Sequence, residues 1–307
     1  MKVLVATDKP FSKEAVAGIK EIISGSGNIL ALLEGYTDKS QLLDAVKDAD
    51  ALIVRSDIID KDVIDAAQQL KIVVRAGAGY DNIDLAACTA RNIVVENTPG
   101  QNSNAVAELV IAMAIFMYRG QFTPKAGKEV KGKKMGIHAY GNVGRLVGKY
   151  AKGMGMEVYA FDPFVTDPKV FENDGVKQVN SIDELYSTCD IVSLHIPATP
   201  QTVKSINFEL LNKMPKGALL INTARKEVID EAGIEEMFEK RPDFKYATDI
   251  TPANAAVLSE KFGNRFFTTP KKMGAQTEEA NMNAGIAAAT QIVCFFRDGD
   301  RKFQVNK

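Results

Sequence analysis

The chain has 307 residues, 46% of them hydrophobic and 25% charged, a composition typical of a globular protein long enough for two domains. Its 38 basic residues balance 39 acidic ones, so no nucleic-acid partner is indicated, and three scattered cysteines and two histidines argue against disulfides and a metal site. The longest apolar run is too short to cross a membrane, so we expect a cytoplasmic protein.

Short runs rich in valine and isoleucine alternate with helical patterns over the first hundred residues. The predicted strands cover residues 3–6, 29–33, 51–54, 72–74 and 93–95, and the predicted helices cover residues 13–23, 41–47 and 61–69. Asp60 is placed to cap the last of these helices. Strands that alternate with helices predict a parallel sheet covered on both faces.

Turn-forming residues at positions 97–104 interrupt this pattern, and a long apolar helix over residues 105–118 follows them. The second set of predicted strands covers residues 134–138, 157–161, 191–194, 218–221 and 246–248. A helix at about residues 277–296 precedes a short strand near residues 303–305. The sequence therefore predicts an α/β fold with two doubly wound parallel-sheet domains and a boundary near residue 100.

The strongest local motif is a strand, a glycine-rich turn and a helix, followed by a second strand that ends at Asp162. Such a turn lets backbone N–H groups approach a pyrophosphate at the positive end of the helix. Asp162 lies 21 residues after Gly141, where a carboxylate binds ribose hydroxyls and would repel the 2′-phosphate of NADP. The motif predicts NAD binding. Ala139 replaces the first glycine of the fingerprint, which a tight turn accepts if φ is negative.

Three further segments place polar groups directly after predicted strands. Arg225 could hold a carboxylate bidentately and polarise a neighbouring carbonyl. Gly77 and Gly79 could offer free N–H groups to an anion, and Arg55 follows another strand. Each of these segments, taken alone, favours ordinary turn or surface chemistry.

Taken together, seven segments resemble the D-isomer-specific 2-hydroxyacid dehydrogenases, and among them the short D-3-phosphoglycerate dehydrogenases without a regulatory domain. The segments are LIVRSDIID, VVRAGAGYDNID, NTPGQNSNAVAELV, the glycine-rich turn through FDPF, DIVSLHIPAT, LLINTARKEVID and TPKKMGAQTEEA. The resemblance implies two Rossmann-like domains with a cleft between them. Residues 1–100, completed by about 284–307, would bind substrate, and residues 101–283 would bind NAD. It also implies a homodimer formed through helix 105–118, and we expect no serine feedback through an appended module.

The resemblance also implies the roles of individual residues. The cofactor would be bound by Tyr140, Gly141, Asn142, Val143, Asp162, His195, Ile196, Pro197, Thr223, Ala224 and Asp249. The substrate would be bound by Arg55, Ser56, Ala78, Gly79 and Asn102. Arg225 would bind the substrate's carboxylate and C2 oxygen as a catalytic residue. His195, which a quick reading would take as catalytic, belongs to the cofactor side.

Two departures from the family's pattern concern the proton transfer. The family's usual glutamate is Asn254 here, and the family's Thr-Pro-His segment reads Thr269-Pro270-Lys271-Lys272, with lysine in place of the histidine. We therefore predict Lys271, the residue after Thr269-Pro270, as the catalytic acid and base. Counting back from the following glycine would instead place Lys272 in that role.

The predicted function is the NAD-dependent oxidation of 3-phospho-D-glycerate to 3-phosphohydroxypyruvate, the first step of phosphorylated serine biosynthesis. The only partners expected are this small phosphorylated 2-hydroxy acid, NAD and a second copy of the chain. The alternatives are a glyoxylate or hydroxypyruvate reductase and a non-catalytic protein that senses NAD.

Overall fold

The computed structural model describes residues 1–306, and the contacts within it divide the chain into two compact units. The first unit is Met1–Asn102 together with the chain from Gln276 onward, and the second is Ser103–Ala275. Each unit is built around one parallel sheet. The predicted α/β class with two parallel-sheet domains is therefore confirmed. No helix of residues 1–306 has the length and apolarity that crossing a bilayer requires.

The first unit begins with five strands that alternate with four helices. The strands are β1 (Lys2–Thr7), β2 (Ile29–Glu34), β3 (Ala51–Val54), β4 (Ile72–Arg75) and β5 (Val94–Asn97), and the helices are α1 (Lys13–Gly25), α2 (Lys39–Ala45), α3 (Lys61–Ala66) and α4 (Leu85–Ala90). The sheet order is β2-β1-β3-β4-β5. Asp60 caps α3 as predicted, because its side chain accepts the N–H of Val63.

The second unit contains a seven-stranded sheet in the order β12-β11-β10-β9-β6-β7-β8. Its strands are β6 (Lys134–His138), β7 (Glu157–Phe161), β8 (Lys177–Gln178), β9 (Ile191–Leu194), β10 (Leu219–Asn222), β11 (Lys245–Thr248) and β12 (Phe266–Thr268). Its helices are α5 (Ser103–Tyr118), α6 (Asn142–Gly153), α7 (Lys169–Asp174), α8 (Ile182–Thr188), α9 (Phe208–Leu211), α10 (Glu231–Lys240) and α11 (Ala255–Phe262). Chain order reverses at β6, whose neighbours are β7 and β9, and such a reversal is where open sheets bind ligands.

The last helix, α12 (Glu278–Asp298), belongs to the first unit, a point on which the periodicity of the sequence was silent. Its small apolar residues pack on the face of the sheet that α1 also covers. The buried residues of α12 include Ala284, Ala288, Ala289 and Ile292. Both ends of the chain thus complete one core.

The short strand predicted near residues 303–305 is wrong. The structure has only an isolated antiparallel bridge between Glu96 and Gln304, joined by a hydrogen bond from the N–H of Val305 to the carbonyl of Val95. The side chain of Asn306 ends the pairing, because its Oδ1 accepts the N–H of Val95 and its Nδ2 donates to the carbonyl of Ile93. An amide side chain therefore takes the backbone groups that a longer strand would use.

Candidate functional site

The registers of the parallel strands bring the candidate cofactor residues of the second unit to one edge. His138 pairs with Leu194, which pairs with Asn222, which pairs with Thr248. The residues that follow these four strand ends are Ala139, His195, Thr223 and Asp249. Carboxyl ends of parallel strands form the ligand-binding edge of such sheets. Segments far apart in sequence thus meet at one edge of this sheet.

The glycine-rich turn leaves the start of α6 open. Gly141 is the N-cap of α6 and supplies no side-chain cap, and the N–H groups of Asn142 and Val143 have no acceptor within residues 1–306. A Cβ on Gly141 would meet nothing within 4 Å, whereas one on Gly144 would lie 2.3 Å from the carbonyl oxygen of Ala139. Gly144 therefore lets α6 pack closely on β6, and the unfilled space at Gly141 fits an anionic group at the helix start.

Ala139 adopts a positive φ of 78°, so the expectation that it fits the turn with a negative φ is wrong. The turn keeps the backbone path that glycine favours in this fingerprint even though the residue carries a methyl group. For a residue other than glycine this conformation costs about 1–2 kcal/mol. The turn therefore has its shape imposed by its surroundings.

Asp162 and Tyr140 together hold the turn. The Oδ2 of Asp162 accepts the N–H of Tyr140 at 2.8 Å, and its Oδ1 accepts the N–H of Phe164 at 2.9 Å. The Tyr140 side chain is buried, stacks on Phe171 with ring centroids 4.9 Å apart and donates its hydroxyl to Asp174 at 3.0 Å. Tyr140 thus contributes to the candidate site by fixing the backbone of the turn, and Asp174 is a supporting residue that sequence spacing gave no means of finding.

His195 is held as a neutral side chain. Its Nε2 lies 3.0 Å from the hydroxyl of Ser193, and burial, with a further contribution from His138, lowers the pKa of His195 to about 3. Ile196 is buried beside it, and the carbonyl of Pro197 accepts the hydroxyl of Thr202. A histidine with so low a pKa does not carry a proton at neutral pH.

The turn after β10 is clamped by the side chain of Asn222. Its Oδ1 accepts the N–H of Ala224 at 2.9 Å, and its Nδ2 donates to the carbonyl of Arg225 at 3.0 Å. Arg225 is half-buried, and its Nη1 donates to the carbonyl of Ala224 at 2.9 Å. The hydroxyl of Thr223 is buried and has no partner within residues 1–306. The clamp places Arg225 and the Thr223 hydroxyl at the carboxyl edge of the sheet.

Asp249 is fully buried and only half satisfied. Its Oδ2 accepts the N–H groups of Gly274 at 2.7 Å and Met273 at 3.2 Å, whereas its Oδ1 has no partner within residues 1–306. Burial raises the pKa of Asp249, although the N–H of Gly274 and the charge of Lys272 act in the opposite direction. An unpartnered buried oxygen needs a donor. Asp249 and Thr223 therefore fit a polar amide such as the carboxamide of nicotinamide.

Both candidate lysines are exposed, and the structure distinguishes them by their surroundings. The Thr269 hydroxyl donates to the carbonyl of Lys271 at 2.6 Å, which fixes the backbone of that residue. Lys272 is the lysine whose charge acts on Asp249. Asn254, at the position of the family's glutamate, has an unpartnered buried Oδ1, and its Nδ2 points to the carbonyl of Glu231 at 3.4 Å. Glu231 is a neighbouring carboxylate that no motif indicated.

In the first unit, Asp57 organises the carboxyl ends of three strands. Its carboxylate accepts the N–H of Asp8, the hydroxyl of Tyr36 and the N–H of Arg55. The Arg55 guanidinium donates to the carbonyls of Lys9 and Pro10 and to the side chain of Asn281. Arg55 is therefore partly committed to holding the fold, and Ser56 beside it is exposed. An aspartate three residues after a buried strand was the available signal for Asp57.

The segment after β4 presents unpaired backbone donors. The N–H groups of Ala78 and Gly79 have no acceptor within residues 1–306, and neither residue is buried. Two adjacent N–H groups that lack protein acceptors are typical of an anion-binding turn. Asn102, the last residue of the N-terminal part of this unit, is partly exposed.

The chain was compared with known families, curated proteins and solved structures. Residues 105–271 match the family described as D-isomer specific 2-hydroxyacid dehydrogenase, NAD binding domain. A D-3-phosphoglycerate dehydrogenase of Methanocaldococcus jannaschii is 36% identical over 95% of this chain and 57% of its own length, so this chain spans little more than half of that relative. A hydroxypyruvate reductase of Thermotoga maritima is 32% identical over 86% of this chain and 90% of its own length.

Among solved structures, the crystal structure of a cofactor (NAD+)-bound 3-phosphoglycerate dehydrogenase of Entamoeba histolytica matches with a TM-score of 0.90 and 48% identity. The match covers 100% of this chain and 99% of that one. The family match takes in the open start of α6, the Asn222 clamp and the half-satisfied Asp249 described above. The chain carries the NAD-binding domain of the D-isomer specific 2-hydroxyacid dehydrogenases and belongs to that family.

Proposed function

We propose that this protein oxidises 3-phospho-D-glycerate at C2 with NAD, giving 3-phosphohydroxypyruvate in the first step of phosphorylated serine biosynthesis. The observation that carries the proposal is the 48% identity, over essentially the whole of both chains, with the Entamoeba histolytica 3-phosphoglycerate dehydrogenase. The open anion sites after β4 and at the start of α6 support it, because substrate and cofactor are both anionic.

The second unit would hold the cofactor. The N–H groups of Asn142 and Val143 would bind the pyrophosphate, which would occupy the space left by the missing side chain of Gly141. Asp162 would accept hydrogen bonds from the ribose hydroxyls. The adenosine side would be lined by His195, Ile196 and Pro197. The carboxamide would donate to the unpartnered Oδ1 of Asp249, near Thr223 and Ala224. Bound NAD supplies the acceptor for the hydride that leaves C2.

The substrate would be held through its three oxygen-bearing groups. The N–H groups of Ala78 and Gly79 would bind the carboxylate, and Arg225 would polarise the C2 oxygen. Arg55 and Ser56, with Asn102, would complete the substrate site. Three of the five N–H groups of Arg55 already have protein acceptors, so two remain for the substrate phosphate.

A lysine would move the proton. As the hydride leaves C2, the neutral amine of Lys271 takes the proton of the C2 hydroxyl, and the C2–O bond becomes a carbonyl. In the reducing direction the ammonium returns that proton. Lys272 is the alternative, and its charge acts on Asp249. Arg225 stabilises the oxygen in either case by its positive charge.

The test of this proposal is steady-state formation of NADH with 3-phosphoglycerate, run beside D-glycerate and D-lactate at equal concentration. We expect 3-phosphoglycerate to have the highest kcat/KM, because only it carries the phosphate. NAD binding without turnover of any of the three would contradict the proposal and favour a non-catalytic protein that senses NAD.

A second candidate function is the reduction of hydroxypyruvate or glyoxylate. It is favoured by the 32% identity with the Thermotoga maritima hydroxypyruvate reductase, of which this chain covers 90%. Oxidation of NADH with unphosphorylated hydroxypyruvate at a higher kcat/KM than with 3-phosphohydroxypyruvate would decide for this candidate.

We further propose that the protein is a cytoplasmic homodimer. All three cysteines are free thiols, which suits a reducing compartment. Helix α5 keeps several large apolar side chains only partly buried within its unit, and these would be covered by a second copy. They are Leu109, Ile111, Ile115 and Phe116.

A further inference from the structure

The carbonyl groups of the Gly77–Ala78 segment are held by residues at the end of β5. The N–H of Thr98 donates to the carbonyl of Gly77 at 2.9 Å, and the Nδ2 of Asn97 donates to the carbonyl of Ala78 at 2.6 Å. Asn97 is the last residue of β5 and is largely buried. Two adjacent peptide groups are therefore fixed from the same side by two consecutive residues.

Fixing these two carbonyls also fixes the two N–H groups that the proposed function assigns to the substrate. A trans peptide points its C=O and its N–H in opposite directions, and none of the peptide bonds described is cis. The carbonyl of Gly77 shares a peptide group with the N–H of Ala78, and the carbonyl of Ala78 shares one with the N–H of Gly79. Both N–H groups therefore point away from β5 on the same side.

Gln291 of α12 affects the same peptide groups indirectly, through the backbone of Asn97. Its Nε2 donates to the carbonyl of Asn97 at 3.1 Å, while its Oε1 is buried without a partner. The carbonyl of Asn97 and the N–H of Thr98 belong to one peptide group. Because these two groups point in opposite directions, the bond from Gln291 turns the N–H of Thr98 toward the carbonyl of Gly77. A helix almost two hundred residues away in sequence thus orients the segment after β4.

We propose that Asn97 and Gln291 are positioning residues that hold the N–H groups of Ala78 and Gly79 in place to bind the substrate's carboxylate. The proposal rests on the function proposed above for that segment. Asn97 acts directly on the peptide that carries the N–H of Gly79. Gln291 acts through the peptide joining Asn97 to Thr98 on the N–H of Ala78. Neither side chain needs to touch the substrate.

The experiment follows the backbone N–H signals of Ala78 and Gly79 by NMR in protein labelled with [15N]alanine and [15N]glycine. Oxalate, which offers the planar carboxylate of a 2-oxo acid, is titrated into wild type, Gln291→Met and Asn97→Ala. Met keeps the length of Gln291 and suits a helix but cannot donate. We expect both signals to move in wild type and the Kd for oxalate to rise about tenfold in each variant, since hydrogen bonds to a charged group lose strength when misaligned.

Gln68→Met is the matched control, because Gln68 lies in the same unit and donates to a backbone carbonyl, that of Asp65, away from the segment after β4. It should bind oxalate as wild type does. NADH affinity should be unchanged in all variants, and the two positioning variants should raise KM for 3-phosphoglycerate far more than they lower kcat. If either Gln291→Met or Asn97→Ala lowers the melting temperature strongly, the oxalate affinity of the other variant is compared with that of wild type.

Two results would overturn the inference: signals of Ala78 and Gly79 that do not respond to oxalate in wild type, or an unchanged Kd in both variants. Failure of the proposed function looks different. Wild-type protein that binds oxalate through these N–H groups but oxidises no 2-hydroxy acid would contradict the dehydrogenase proposal and leave the positioning role supported.

Discussion

Ala139 shows how a single residue can carry strain that its fold imposes. Its φ of 78° places an L-residue where glycine is at ease. We expect Ala139→Gly to stabilise the protein by about 0.5–1 kcal/mol, because relief of the backbone strain exceeds the extra entropy of glycine in the unfolded chain. Thermal unfolding checks this. Ala17→Gly, at an exposed position inside α1, should instead destabilise the protein by about 1 kcal/mol, and a loss at both positions would mean that Ala139 is unstrained.

Glu96 is a buried carboxyl group that no sequence pattern indicates. Its side chain is about 1% exposed, one oxygen has no partner, and burial raises its pKa to about 7, with Asp300 adding to the effect and the N–H of Phe303 opposing it. Because the folded pKa lies above the unfolded value of about 4.3, Glu96 stabilises the fold least where it is ionised. Its contribution falls as the pH rises from about 4.5 to about 7.

Glu96→Gln should therefore stabilise the protein by roughly 1–2 kcal/mol at pH 8 and have little effect at pH 4.5. The difference between variant and wild type is the quantity to measure, by urea unfolding at both pH values. Burial also lowers the pKa of His138 to about 4, so protonation of His138 destabilises the folded protein as the pH falls. Because the variant and the wild type both contain His138, this effect cancels in the difference between them. Glu21→Gln, on the exposed side of α1, is the control for removing one carboxylate at the surface.

The two lysines are separated by single substitutions. We expect Lys271→Ala to lower kcat about 10²–10⁴-fold with NADH affinity retained, because a general acid and base typically contributes that much. Lys272→Ala should keep most of the activity. If Lys272→Ala abolishes turnover and Lys271→Ala does not, the acid and base is Lys272. Full activity in both variants would exclude a lysine mechanism.

Helix α6 packs closely on β6, and the two glycines at its start, Gly141 and Gly144, have different structural roles. A Cβ on Gly144 would lie 2.9 Å from the Ile137 side chain and closer still to a backbone oxygen. Gly144→Ala should therefore push α6 from the sheet and cost about 2 kcal/mol or more. Gly141→Ala should leave the melting temperature unchanged but weaken NAD at least tenfold, because its methyl group would occupy the space that we assign to the pyrophosphate.

Thermal unfolding and NADH fluorescence titration measure the two effects separately. Equal losses of stability in both variants would show that Gly141 also packs against protein. Unchanged NAD affinity in Gly141→Ala would place the pyrophosphate elsewhere.

The elements that the sequence predicts well are those with a strong local signal. Strands β3, β6, β7 and β9 begin and end at the predicted residues, because buried parallel strands are short runs of apolar residues between turn formers. The two-residue β8 and three-residue β12 escape prediction, since so few residues show no period. The strand predicted near residues 303–305 fails because a side chain, Asn306, claims the backbone partners.

The residues of the candidate site also differ in whether the local sequence indicates them. The sequence predicts Arg225 and Asp162 as site residues because each follows a recognisable strand. Asn97, Gln291 and Asp174 act through hydrogen bonds to residues far away in sequence, so neither spacing nor periodicity announces them. Support of this kind becomes visible only when the fold brings the partners together.

The oligomeric state is the first property of the whole molecule to measure. We expect a sedimentation mass of twice the 33.4 kDa of one chain at micromolar concentration. Ile115→Glu and Phe116→Glu, on the partly buried side of α5, should shift the mass toward one chain by burying an unpaired charge. Wild type that sediments as a single chain would contradict the proposal.

The core of the first unit is completed by α12, so it stays incomplete until the ribosome has synthesised that helix. The sheet of β1–β5 leaves the ribosome early, but its α12 cover is made only after the whole of Ser103–Ala275. At ordinary rates of synthesis that delay is about ten to thirty seconds. Throughout it, apolar residues such as Val3, Ile53 and Val74 have only part of their final cover. The nascent chain should therefore be a chaperone client during this interval, with protection ending as α12 docks.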